Sequence, residues 1–268
     1  MPISQSIERA CRRYEEVQAE GLTLYPILVE EMETFELARP GIDIVQQSLP
    51  VAYAVMPLLA AYYKMEYDAM GRGEETVGLL SRALLMLALS LRLGRGKPLD
   101  ERLKAFRCKV DTKDPSRLTA VEFVLHGEEL WRITPAQFQY LREIIAAQNG
   151  IELTPPEANP ELVEAQRELA EMNGGAKLSG EAWERVATVA ALEHAEETEI
   201  ESWPLLKLQT KAKTWQRILG YMTCTIAEAR GTQWKRGNPW PSLFYDRVSD
   251  GNTALRPVEE ATRGMGQA

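Results

Sequence analysis

Val77 to Leu93 reads VGLLSRALLMLALSLRL and is the most apolar run in the chain. Spaced at three- and four-residue steps, Leu80, Leu84, Leu87 and Leu91 form one helical stripe. Leu85, Met86, Ala88 and Leu89 widen that stripe almost to the full circumference. A helix apolar all round belongs in a protein core or in a membrane. Arg82 and Arg92 bracket the purely apolar part, leaving it far shorter than the roughly 20 residues a span needs. The stretch is therefore expected to be the central core helix of a soluble domain.

Working backward, Pro50 suits the first turn of a long helix reaching about Met70, which Pro57 should kink or divide. Gly71 and Gly73 supply a turn, so Pro50 to Leu93 is expected to form an antiparallel helical hairpin. Tyr53, Tyr62, Tyr63 and Tyr67 make the first arm aromatic; a core wall with hydroxyls at the rim is the preferred reading over a partner groove. Further back, Ser4 or Ser6 can cap a first helix running to about Glu20 and ended by Gly21. Leu22 to Pro26 is strand-like, and Ile27 to Ala38 reads as a helix stopping before Pro40.

Working forward, Gly94 to Pro98 looks like a boundary. Phe106, Cys108 and Val110 alternate with Arg107 and Lys109, and Val121, Phe123 and Leu125 with Glu122 and Val124. Trp131 and Ile133 follow a turn at His126-Gly127. This is a small antiparallel meander, wet on one face. Thr134-Pro135-Ala136-Gln137 is a capped helix start, and Asn149-Gly150 is its stop. The expected fold is thus mainly α with a small α+β insert, a helical hairpin core plus a short antiparallel meander. The expected domains are a helical N-terminal part (1–96), the α+β insert (97–150), a linker and surface helix (151–178), and C-terminal helices with an aromatic tail (179–247). A disordered end (248–268) closes the chain.

In the C-terminal part Ser179 can cap a helix through His194, and Ser202-Trp203-Pro204 opens the last one. There Leu208, Ala212, Trp215, Leu219, Met222, Ile226 and Ala229 follow a strict four-three spacing. A coiled coil with a partner and a helix docked on its own domain both fit; the short repeat favours docking. After Gly231 the chain reads TQWKRGNPWPSLFYDR, with aromatics crowded among Gly and Pro. Such a tail is either strapped across the body or held out for a partner. Trp234, Asn238, Pro239, Trp240, Pro241, Phe244 and Tyr245 are the candidate partner-binding residues.

Chemistry is sparse. Apolar content of 45% and charged content of 26% are globular. A net charge of −8 argues against nucleic acid or an anionic membrane as partner. The three scattered cysteines suggest neither disulfides nor zinc. Glu193, His194, Glu196 and Glu197 cluster, but a di-iron site needs a second copy of the motif. No catalytic, cofactor-binding or metal residue is expected, and the polar N-terminus points to the cytoplasm.

Four stretches together resemble proteins of the tail-morphogenesis gene clusters of tailed bacteriophages and prophages. They are LTLYPILVEEMETFELA followed by QQSLPVAYAVMPLLAAYY, ITPAQFQYLREIIAAQNGIEL, NPELVEAQREL, and WKRGNPWPSLFYDR. The opening strand and acidic helix are similar to those of tail assembly chaperones. The resemblance implies a non-enzymatic chaperone in the host cytoplasm that binds the tape measure protein and recruits tail tube subunits. A structural tail or baseplate accessory protein of the virion is the alternative, and an enzyme with an unrecognised site is a third reading, which requires a pocket of convergent polar groups.

Overall fold

The computed structural model describes residues 3–125, 129–153 and 182–233, with the isolated positions 238, 240, 242 and 243. The fold is mostly helical, with a two-stranded hairpin and a three-stranded antiparallel meander.

The stretch at 77–93 becomes helix α6, and the elements before it surround it. In chain order these are α1 (Gln5–Arg12), β1 (Val17–Ala19), β2 (Leu22–Leu24), α2 (Met32–Ala38), α3 (Pro40–Asp43), α4 (Val51–Ala54), α5 (Leu58–Arg72) and α6 (Leu79–Ser90). Every residue of α6 except Ser81 and Arg82 is buried. It packs against α2, α3 and α5, and against α7 (Leu99–Leu103). Pro57 divides the long helix expected from Pro50: α4 ends before it and α5 begins after it. Residues 73–78 then reverse the chain, with Gly73 and Gly78 at positive φ. The Glu66 carboxylate of α5 accepts the Leu80 N–H at 3.0 Å, capping the start of α6 from outside that helix.

Two early expectations need correction. The first helix does not run to Glu20: Ser4 caps it as expected, but Tyr14 at φ 62° ends it. Val17–Ala19 instead pairs with Leu22–Leu24 across a Glu20-Gly21 turn with φ of 52° and 78°. Both residues at positive φ match the right-handed twist of a tight hairpin. Nor is 27–38 one helix. Ile27 and Leu28 are extended because they pair with a distant segment: Val29 N–H donates to Trp203 O and Leu205 N–H to Ile27 O, each at 2.9 Å. A 3-10 turn (Val29–Glu31) follows, and only then α2.

The meander is β3 (Phe106–Val110), β4 (Leu118–Leu125) and β5 (Glu129–Ile133), in that order. Phe106 faces Phe123 with ring centroids 5.6 Å apart. On the opposite face Glu122 is buried beneath Arg132, at 2.6 Å, and Lys109, at 3.2 Å. Burial departs from simple alternation here. Cys108 and Val110 are exposed, because β3 is an edge strand with an irregularity between Lys109 and Val110.

Helix α8 (Pro135–Gln148) carries the expected capping box between Thr134 and Gln137. It packs on α1, α3, α5 and β4. Polar side chains stitch it to the N-terminal elements. Buried Arg142 donates to Ile42 O at 2.6 Å and Ile44 O at 2.9 Å. Gln148 donates to Leu24 O, and Asn149 accepts the Ile27 N–H at 3.0 Å while donating to Ile145 O. Helices α9 (Ala182–Glu193), α10 (Glu197–Glu201) and α11 (Leu205–Ala229) complete the described chain. The described residues up to Gln209 form one compact unit, and those from Thr210 onward belong to a second. The expected turn at His126-Gly127, the helix after Asn159, the Ser179 cap and the end 248–268 lie outside the described residues.

Candidate partner-binding surfaces

Of the seven tail candidates, Asn238 and Trp240 are described; Trp234, Pro239, Pro241, Phe244 and Tyr245 lie outside the described residues. Trp240 is not held out. Its indole lies against Gly220 of α11, where an added Cβ would sit 2.7 Å from the ring. Asn238 donates to Glu228 Oε1 at 2.8 Å and accepts the Trp240 N–H at 2.7 Å. Asn238 and Trp240 thus lie against α11, and the missing side chain at Gly220 is what admits the indole. Nothing in the periodicity marks Gly220 as a receptor; only the need to explain a glycine inside a long helix does.

The four-three stripe of α11 changes character along its length. Leu205 and Leu208 are buried, whereas Leu219, Met222 and Ile226 are 48–51% exposed. The Gly220 side is occupied by Trp240, and Cys224 is buried. This leaves the stripe as an open apolar face. Of the basic residues near the start of α11, Lys207 lies over the Trp203 ring at 3.6 Å.

Further exposed apolar side chains lie in α4, at the end of α5 and just before α6. Val51, Val55, Met70 and Val77 are 66–83% exposed, the highest values among the large hydrophobic side chains described. Val77 also lines a hollow of about 210 Å³, together with Tyr53, Tyr62, Met65, Glu66 and Arg72 among others. Its polar groups are largely spoken for. Arg72 pairs with Glu74 at 2.7 Å, Tyr53 donates to Asp68, and Glu66 caps α6. Burial raises the Glu66 carboxyl, opposed by the Leu80 N–H, and burial raises the Tyr62 phenol strongly. The four tyrosines thus divide: Tyr62 is core, Tyr53 and Tyr63 bond at the rim, and Tyr67 is exposed.

A larger hollow of about 490 Å³ lies between Tyr25, the 91–94 turn, Val124 and Leu125. Among the described residues its one charged side chain, Arg92, stacks over the Tyr25 ring at 4.1 Å. Among the described residues, neither hollow places a nucleophile beside a base. Among the described residues no group of three or more His, Cys, Asp and Glu side chains could hold a metal, and no helix is long and apolar enough to cross a membrane. His194 sits just past α9 at φ 54°.

No family model, curated protein or solved structure matches the chain.

Proposed function

We propose that this chain is a non-enzymatic assembly factor that binds a helical partner. The partner implied by the sequence resemblance is the tape measure protein of a phage tail, with tail tube subunits joining the complex. The observation carrying this reading is the exposure of four large apolar side chains, Val51, Val55, Met70 and Val77, the last of which lines a hollow of about 210 Å³. Val51 and Val55 are four residues apart and each 83% exposed, so they project together into solvent. Clustered exposed aliphatic side chains weaken solubility unless something covers them. An amphipathic helix covers such a surface with anchors at three- and four-residue steps. Glu75, also lining the hollow where Glu74 is paired with Arg72, favours a basic residue flanking those anchors.

Co-expression of the tagged chain with the tape measure protein of its gene cluster tests the reading. Soluble co-purification is expected, and it should be lost in the double variant Val51→Asp, Val55→Asp. At positions this exposed the change should cost the fold no more than about 0.5 kcal/mol. Failure of the unaltered chain to hold the tape measure protein in solution refutes the proposal. Recovery of the chain inside purified particles moves it to the structural class.

A further inference from the structure

We propose that the hollow of about 490 Å³ beside the end of α6 binds a small amphiphilic carboxylate, whose head group Arg92 holds and whose apolar body lies against Leu91, Leu93, Val124 and Leu125. The site lies within the compact unit that ends at Gln209 and is independent of the tape measure reading. Its size is that of an ordinary small-molecule site, about 300–1,000 Å³. The described lining is aliphatic apart from Tyr25, Arg92 and Gly94. Arg92 stands where α6 closes. Its N–H donates to Leu89 O at 3.1 Å and the Leu93 N–H donates to Ala88 O at 2.8 Å, the paired bonds of a Schellman motif. That motif holds Arg92 at φ 56°, a conformation glycine adopts freely and an L side chain adopts at a cost. Gly73, Gly150 and Gly231 take the same position after α5, α8 and α11. Tyr14 and His194 take it after α1 and α9, but neither lines either of the two hollows.

The strained position carries the side chain that selects the ligand. Tyr25 is fixed beside α6 by its N–H on Ser90 O at 2.8 Å, and the Arg92 guanidinium lies over its ring at 4.1 Å. Stacking uses the face of a guanidinium and leaves its N–H edges free. Among the described residues no carboxylate or carbonyl accepts from those edges, in a chain of net charge −8. The neighbouring arginines differ: Arg95 pairs with Glu30, and Arg102 with Glu31. A guanidinium needed only for solubility requires no strained backbone, since any exposed position would serve. One oriented fork beside aliphatic walls suits a planar monoanion on an apolar body. A phosphate would call for converging backbone N–H groups or a second cation. Here the N–H groups of Leu91, Arg92 and Leu93 are donated back into α6, and among the described residues no second cation lines the hollow.

Octanoate is the probe, titrated into the full chain by isothermal calorimetry. A dissociation constant of about 0.1–1 mM is expected for a ligand of this size. Octylammonium should bind about tenfold more weakly or worse, because it presents the wrong charge to Arg92. Arg92→Gly should weaken octanoate by about tenfold or more while Tm stays level or rises by up to about 4 °C, since glycine relieves the positive φ and the lost stacking on Tyr25 offsets part of the gain. Val124→Asp, at an exposed position on the wall, should weaken octanoate by a similar factor with an unchanged far-UV circular dichroism spectrum. Absence of octanoate binding up to about 5 mM overturns the proposal. So does binding indifferent to Arg92→Gly or to Val124→Asp, or octylammonium binding as tight as octanoate. A Tm lowered by more than about 5 °C in Arg92→Gly would show that the arginine is held there for the fold, and overturns it as well.

Discussion

Replacing Gly41 by Ala tests the packing of the central helix through a single methyl group. Gly41 lies in α3 where it crosses α6, and both Gly41 and Ala83 are fully buried. A Cβ on residue 41 would lie 2.3 Å from the Ala83 nitrogen and 2.5 Å from the Arg82 carbonyl carbon. Ordinary contact begins near 3.4 Å, so the two helices would have to part by roughly 1 Å. The obstructing atoms are backbone, so no rotamer change relieves them. Overpacking of this kind costs about 1–3 kcal/mol. Moving α3 also strains the Arg142 bonds to Ile42 O and Ile44 O, each worth about 1 kcal/mol or more because the donor is charged. Against this, removing a glycine from a helix contributes about 0.5–1 kcal/mol of stability. The net expectation is a loss of about 2 kcal/mol or more, which for a unit of this size lowers Tm by roughly 4–8 °C. Gly71→Ala is the control, because that glycine sits in α5 with nothing within 4 Å of its missing Cβ. It should gain about 0.5–1 kcal/mol. Thermal melts and urea titrations followed by circular dichroism read both. If Gly41→Ala matches the control in sign, the close crossing of α3 and α6 is wrong.

Leu87→Ala, at a fully buried position of α6, should cost about 2–5 kcal/mol in urea titration, and a cost near zero would remove α6 from the core. Asn149→Ala should cost about 1–3 kcal/mol, because it strands the buried Ile27 N–H; a neutral result would mean water replaces the amide. Glu122 is held below the ordinary carboxylate range, first by Arg132 and then by Lys109, opposed by burial. Its contribution is therefore present above the unfolded-state value and lost as pH falls through the folded one, so the Tm gap to Glu122→Gln should shrink between about pH 5 and 3. Glu66 is shifted the opposite way, so its contribution is greatest below the unfolded-state value and declines as pH rises through the folded one; Glu66→Gln should flatten a fall in Tm on the alkaline side of that range.

What could be read from the sequence was what neighbouring residues decide. The Thr134-Pro135-Gln137 start of α8, the break at Pro57 and the buried stripe of α6 each depend on local geometry and stand as expected. Leu22 to Pro26 read as strand-like and holds β2, whereas β1 was hidden because a three-residue strand carries too little alternation to outweigh the helical spacing of Ile7 to Val17. Tyr14 at positive φ has no mark in the sequence either. The extended Ile27-Leu28 pair depends on Trp203 to Leu205, a contact across most of the chain. The candidate surfaces divide in the same way. The α11 stripe was visible as a period, but its exposure from Leu219 onward depends on which neighbours are missing. Val51, Val55 and Met70 carry no mark in the sequence that sets them apart, and only the packed structure shows them and Val77 uncovered.

The most direct test of the partner-binding account is amide hydrogen exchange of the chain alone and mixed with the tape measure protein. The account expects new protection concentrated in residues 50–79, with little change in α8, which is already buried on several sides. Protection absent from 50–79, or confined to α8 and the meander, would contradict it.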